Sequence, residues 1–315
     1  MRSAPSTMIE SVATYLPPHE VSVGELKTEL GVNDNAVKVY ERVFGLRSVR
    51  LERETTIVNL LLSAASQLDG LAGRQRRIRV LIHARTIEPA DPRSGSTLSE
   101  LRRRLGLDRA VAFALSQHAC ASGLLAIDVA AKLLATIADP GALALVVTGE
   151  KVYPHVVRLM APVTVVGDGA AACLVRLGTE RDVMCGYATR THGAYFAGFS
   201  APPEVRAKFQ REYPGYITEV VEKALDEAGV RLPDVALVLP DNTRRNVWLQ
   251  WSRMTGFPVD RILLDNLPVT GHCFCADHFL NYDTARRRRL LEPGSYYIMA
   301  ATGQGGIFSA AVFRH

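Results

Sequence analysis

Apolar residues recur at helical spacing between Thr55 and Asp69, where Ile57, Leu60, Leu61, Ala64, Ala65 and Leu68 share one face. A polar turn with Gly70 and Gly73 follows. Ile78 to Ala84 then reads as a short buried strand. The same succession returns in the second half of the chain. Val220, Val221, Ala224, Leu225 and Ala228 mark a helix that Gly229 caps, Pro233 sits in the turn, and Val235 to Leu239 is a strand. Farther along the first half, Ser122 to Thr136 predicts a helix and Leu143 to Val147 a strand ending at Gly149. Ala170 to Arg176 predicts another strand, after the turn Gly167-Asp168-Gly169. Their counterparts are a helix over Ala276 to Leu291, a strand over Tyr296 to Ala301 ending near Gly303, and a last strand over Ile307 to Phe313 after Gly305-Gly306. Each half reads helix, strand, helix, strand, strand. The repeat predicts a duplicated α/β unit with two mixed sheets covered by helices.

Composition narrows the class. The chain has 315 residues, 48% of them apolar and 22% charged, enough for one large domain or two packed ones. This excludes a disordered, collagenous or disulfide-framework protein. No stretch approaches ~20 apolar residues, so no membrane span is expected. Met1 to Met8 lacks the apolar run of a secretory signal. Five cysteines, an odd count, point to a reducing, cytoplasmic setting. The net charge of +5 is concentrated at Arg74 to Arg79, Arg244–Arg245 and Arg286 to Arg289. No aromatic residues interleave with these clusters, which therefore read as solvated surface rather than as a nucleic-acid site. They remain compatible with an acidic protein partner.

Three residues suggest chemistry. Cys120 lies in Ala119-Cys120-Ala121-Ser122-Gly123, between an apolar strand (Val111 to Leu115) and a helix. The unpaired N–H groups of a helix N-terminus favour a thiolate, and the small neighbours leave room for a carbonyl substrate. An inert buried thiol fits the same placement. Asp241 follows Pro240 at a strand end, and His272 follows Gly271 in a loop. Singly they read as a helix cap and a locally bonded histidine. Together with Cys120 they form a nucleophile, a base and a group to orient the base. A pseudo-twofold axis between the halves would let the helix N-termini near 120 and 272 converge. The run Gly271-His272-Cys273-Phe274-Cys275-Ala276-Asp277-His278 raises zinc as a rival. One residue separates its cysteines instead of the usual two to four, and no second pair exists, so no metal is expected. Gly167 to Gly169 and Gly303 to Gly306 predict tight turns or close backbone approach rather than a dinucleotide fingerprint. His83, His118, His155 and His192 read as locally hydrogen-bonded. Trp248 and Trp251 are expected to pack a helix on the core.

Over nearly its whole length the chain resembles the thiolase superfamily, and within it the β-ketoacyl-carrier-protein synthase III family. The resemblance rests on Tyr15-Leu16-Pro17-Pro18, Phe44-Gly45-Leu46, Ala119-Cys120-Ala121-Ser122-Gly123, Val146-Val147-Thr148-Gly149-Glu150 and Val166-Gly167-Asp168-Gly169-Ala170. Leu239-Pro240-Asp241-Asn242, Gly271-His272 and Gly303-Gln304-Gly305-Gly306 complete it. It implies a duplicated, five-layered αβαβα fold, with residues 1–178 as the half carrying the nucleophile and 179–315 as the half carrying Asp241 and His272. It also implies a homodimer. The family's condensing members use Cys, His and Asn; here Asp241 stands at the His position and His272 at the Asn position. The family His and Asn donate hydrogen bonds to an enolate oxygen, whereas an ionised Asp only accepts and would repel that charge. Decarboxylative condensation is therefore disfavoured.

A Cys-His-Asp set instead resembles the acyltransferase branch of natural-product pathways. There an acyl group passes from a carrier-protein or coenzyme A thioester, through acyl-Cys120, to a hydroxyl or amine of a small molecule. The resemblance gives the backbone N–H groups of Cys120 and Gly306 as oxyanion donors, His272 as base and Asp241 as its support. The resemblance implies no permanently bound cofactor, with the phosphopantetheine-linked thioester as a co-substrate. Family members often stack adenine on a Trp in the stretch matching Ala36 to Phe44. This chain has Val39 and Val43 there, which favours a carrier protein as donor. Arg244 and Arg245 are candidates to meet that carrier's acidic surface. The alternatives are a condensing enzyme, a hydrolase and a non-catalytic acyl-binding subunit. Thr191 to Tyr213, rich in Gly, Pro and aromatics, is expected to shape the pocket mouth.

Overall fold

The computed structural model describes residues 6–86, 96–151, 158–160 and 163–315. In the first half these form β1 (Thr7–Tyr15), α1 (Ile57–Ala65), β2 (Ile78–Ala84), β3 (Val111–Leu115), α2 (Ser122–Ala135), β4 (Leu143–Glu150) and β5 (Gly169–Leu177). The second half supplies β6 (Val183–Thr191), α3 (Pro203–Ala228), β7 (Val235–Leu239), α4 (Arg245–Thr255), α5 (Asp277–Arg287), β8 (Tyr296–Gly303) and β9 (Ile307–Arg314). The apolar runs predicted as strands at Ile78, Val111 and Val235 have those bounds. Gly229 takes the left-handed conformation expected of a cap, with φ 67°.

Strand alternation creates the layers. On β4, Leu143, Leu145 and Val147 pack outward on Leu60 and Leu61 of α1. Ala144 and Val146 face the opposite way, toward Leu124 and Ile127 of α2 and Phe279 of α5. On β8, Tyr297, Met299 and Ala301 point into that same central layer. Ile298 and Ala300 pack outward on Val220 and Val221 of α3 and on Trp248 and Trp251 of α4. The order is thus α1, a half-sheet, α2 with α5, a half-sheet, then α3 with α4. This is the duplicated αβαβα arrangement of an α/β thiolase-like fold.

One expectation needs correction. The two mixed sheets are joined into a single sheet of nine described strands, in the order β7-β8-β9-β6-β1-β5-β4-β2-β3. The first strand of each half lies at the seam. Met8 pairs antiparallel with Val183, and the Ile9 N–H donates to the Asp182 carbonyl at 3.0 Å. Pairing these strands satisfies two edges that two separate sheets would leave open. None of the described helices is long and apolar enough to cross a membrane.

Candidate active site

The residues just before α2 and α5 adopt the same shape. Ala119-Cys120-Ala121 and Phe274-Cys275-Ala276 each form one 3-10 turn leading into the helix. Each turn opens on a residue with positive φ, 47° at Ala119 and 54° at Phe274, which is rare outside glycine. The duplication therefore pairs Cys120 with Cys275, rather than with His272 as the helix positions suggested. His272 sits three residues upstream, on a backbone tied down by the loop expected to hold a tight turn. Its N–H donates to the Val165 carbonyl at 3.2 Å, and its carbonyl accepts from the Gly167 N–H at 3.1 Å.

This framing brings two of the three sequence candidates together. His272 Nε2 lies 3.2 Å from Cys120 Sγ. Asp241, expected to support His272, does not contact it. One Asp241 oxygen accepts from the Thr302 N–H at 3.1 Å and the Thr302 hydroxyl at 2.6 Å. The other accepts from the Thr243 hydroxyl at 2.7 Å. The group on the imidazole is Asp277, whose Oδ2 is 2.6 Å from His272 Nδ1. The same oxygen accepts from the Asn242 N–H, and Oδ1 from the Cys273 N–H, both at 2.7 Å. Asp277 won this place because it begins α5, and the turn at Phe274 folds it back over the histidine.

All three groups are buried. Burial alone pushes the His272 pKa down. The Asp277 carboxylate, the Cys120 sulfur and their hydrogen bonds outweigh it and hold the value well above that of an ordinary histidine. Burial and the Asp277 charge raise Cys273, while burial, Glu150 and Cys120 raise Cys275, so both remain thiols. The Thr86 hydroxyl donates to Cys120 Sγ at 3.2 Å, a contact with no sequence signal. Asp277 had one, an acid at the first helical position five residues after the histidine, inside the run weighed as a zinc site. Among the described residues no group of three or more His, Cys, Asp or Glu is arranged to hold a metal.

Cys120 and His272 open onto a cavity of about 280 Å³. Gly306 is also in its wall, at φ 81°, beside Gly305 at φ 90°. The Thr191–Tyr213 segment supplies Tyr195, Phe199, Phe209 and Tyr213 to the lining, as expected of a mouth-shaping segment. Arg244 and Arg245 part company. Arg245 is exposed, whereas Arg244 is only 6% exposed and lines the cavity, so it is not available to a carrier protein's outer surface. Val39 and Val43 are 43% and 49% exposed. His83 bonds the Gly149 carbonyl at 3.1 Å, His118 lies 3.5 Å from Thr189 Oγ1, and His192 lies 3.3 Å from Glu219. His155 lies outside the described residues.

Comparison with known proteins extends these observations. The C-terminal model of 3-oxoacyl-[acyl-carrier-protein (ACP)] synthase III matches residues 225–315. A β-ketoacyl-[acyl-carrier-protein] synthase III of Lactobacillus delbrueckii subsp. bulgaricus is 28% identical, covering 96% of this chain and 97% of the relative. Among solved structures, the acyltransferase ChlB3 superposes with a TM-score of 0.85 at 21% identity, covering 98% of both chains. The 3-oxoacyl-[acyl-carrier-protein] synthase III of Aquifex aeolicus gives 0.82 at 20% identity, covering 98% of this chain and all of its own. The chain thus has a thiolase-like fold and is similar in sequence to β-ketoacyl-[acyl-carrier-protein] synthase III proteins.

Proposed function

We propose that this protein is an acyltransferase that moves an acyl group from a carrier-protein or coenzyme A thioester, through acyl-Cys120, to a hydroxyl or amine of a small molecule. The observation that carries this reading is the continuous contact from Asp277 through His272 to Cys120 at the cavity wall. His272 Nε2 already holds the proton shared with Cys120 as the sulfur attacks the thioester carbonyl. The oxyanion is held by the backbone N–H groups of Cys120 and Gly306. The carbonyl re-forms as the carrier thiolate leaves with the proton from His272. In the second half, Nε2 takes the acceptor's O–H or N–H proton as that atom attacks the acyl-sulfur carbonyl, and Cys120 departs and is reprotonated. Asp277 fixes the Nδ1–H tautomer, so that the lone pair of Nε2 faces the reaction.

Condensation, the activity in the names of the sequence relatives, is the competing reading. It needs hydrogen-bond donors where an enolate forms. At the position of the family His, Asp241 has both oxygens accepting bonds and offers no proton. The acyltransferase reading therefore predicts no carbon dioxide from malonyl thioesters.

Intact-mass spectrometry after incubation with a panel of acyl thioesters tests the proposal. The expected result is an adduct of one acyl mass that is absent in Cys120→Ala. His272→Ala should still load, more slowly, but hold the acyl group when an acceptor is added. Release of carbon dioxide from malonyl thioester, or normal transfer by His272→Ala, would overturn the reading.

A further inference from the structure

Arg244 is a buried cation that meets no counter-charge among the described residues. It forms no ion pair with any described carboxylate. Its nearest acid in sequence, Asp241, has both oxygens engaged by Thr302 and Thr243. The guanidinium is nevertheless held firmly. Nη1 donates to Gln210 Oε1 at 2.6 Å, and the group lies 5.4 Å from the centre of the Tyr213 ring and 6.0 Å from that of Phe44. Aromatic faces steady the cation but accept no N–H bonds at its edge. The Nε–H is buried and has no acceptor among the described residues. Taking a charge out of water is costly unless an opposite charge meets it. A fixed fork of N–H donors on a cavity wall is also the geometry that pairs with a carboxylate. Cys120 and His272 line that cavity, as does the exposed Arg206, and no described Asp or Glu does.

We propose that Arg244 binds a carboxylate carried by one of the two substrates, making the cavity selective for an acidic acyl group or an acidic acceptor. The proposal deepens the acyltransferase reading and rests on it for the substrates' roles. The anion site itself can be read without any acyl transfer.

Succinate and succinamide differ in charge at nearly constant shape, and their binding to Cys120→Ser protein can be followed by calorimetry. Succinate should bind at least tenfold more tightly than succinamide. Arg244→Gln should erase that difference, and Arg244→Lys should retain part of it. Equal binding of the two compounds, or a preference that survives Arg244→Gln, would overturn the proposal. A second arm identifies the source of the carboxylate. Wild-type protein is offered succinyl and succinamyl N-acetylcysteamine thioesters, which carry no phosphate, and acyl-Cys120 is followed by intact mass. Faster succinyl loading that Arg244→Gln abolishes assigns the carboxylate to the acyl group. Loading indifferent to charge, alongside Arg244-dependent succinate binding, assigns it to the acceptor. If neither thioester loads, an acidic four-carbon acyl group is excluded and Arg244-dependent succinate binding assigns the carboxylate to the acceptor, while the wider panel of acyl thioesters decides the acyl-Cys120 reading.

Discussion

At the scale of single residues, two buried carboxylates compete for one role, and hydrogen-bond geometry separates them. Asp277 meets the imidazole, whereas Asp241 is committed to two threonines. Asp277→Asn presents an amide that can donate to Nδ1 and stabilise the wrong tautomer, turning an N–H toward the sulfur. Acyl transfer should fall about 10²–10⁴-fold, the range seen when a triad acid is neutralised. Asp241→Asn should cost transfer less than about tenfold and act chiefly on stability, by about 1–3 kcal/mol, because an amide cannot replace every acceptor position. A readout specific to orientation is the NMR titration of His272. Its midpoint lies above the ordinary value and should drop in Asp277→Asn and again in Cys120→Ala, since each removes a group that favours the charged ring. The sign for stability follows. A raised folded-state pKa contributes fully below the unfolded value, about 6.5, and the contribution is lost as pH rises through the folded value. An unmoved midpoint in Asp277→Asn would deny the carboxylate its orienting role.

At the scale of elements, the placement of His272, the base of the proposed mechanism, depends on one glycine. Gly271 has φ 62° and ψ −162°, a region only glycine occupies comfortably. A Cβ there would lie 2.7 Å from the Val165 carbonyl oxygen and 2.6 Å from a Val49 methyl. Gly271→Ala should therefore cost about 2–4 kcal/mol from backbone strain and overpacking together, read as a lower urea midpoint. It should also slow acyl loading, since the loop that strains is the one presenting His272. Wild-type stability in this variant would show that the loop yields without cost. Elements differ in how plainly the sequence displays them. The parallel strands β2, β3 and β7 are short, mostly apolar runs bounded by turns, and their limits follow from that pattern. The seam strands β1 and β6 are not, because each carries a register shift, between Ile9 and Ser11 and between Met184 and Gly186. A shift breaks the two-residue alternation that betrays a strand. Cys120 and His272 were legible from their places before predicted helices and from family-like motifs. The role of Asp277 was not, because the positive φ at Phe274 that folds the chain back leaves no trace in hydrophobic spacing. The burial of Arg244 was equally hidden, since an Arg-Arg pair at a helix start ordinarily faces water.

At the scale of the whole molecule, the two halves meet across α2 and α5, and a buried histidine lies at that crossing. Among the described residues His278 finds no hydrogen-bond partner for either ring nitrogen, and it packs so closely on α2 that a Cβ at Gly123 would sit 2.8 Å from its Nε2. Burial, reinforced by the nearby His272 charge, pushes the His278 pKa down to about 3. In the core of the first half, burial pushes His83 down to about 4 against the opposing pull of the Gly149 carbonyl. Both are neutral in the folded protein over a range where the unfolded chain binds protons. The stability they protect is whole above about pH 6.5 and is lost as pH falls toward their folded values. Each should add on the order of 1 kcal/mol of destabilisation, about 2 kcal/mol for the pair, between roughly pH 6 and 5. His272 adds nothing in that window, being charged in both states. Urea unfolding at pH 7, 6 and 5 should therefore show a steep loss over the last step, and His278→Gln should halve the slope whatever it does to stability at pH 7. A slope unchanged by that substitution would mean that the crossing between the halves admits a proton without opening, and that acid sensitivity arises elsewhere in the fold.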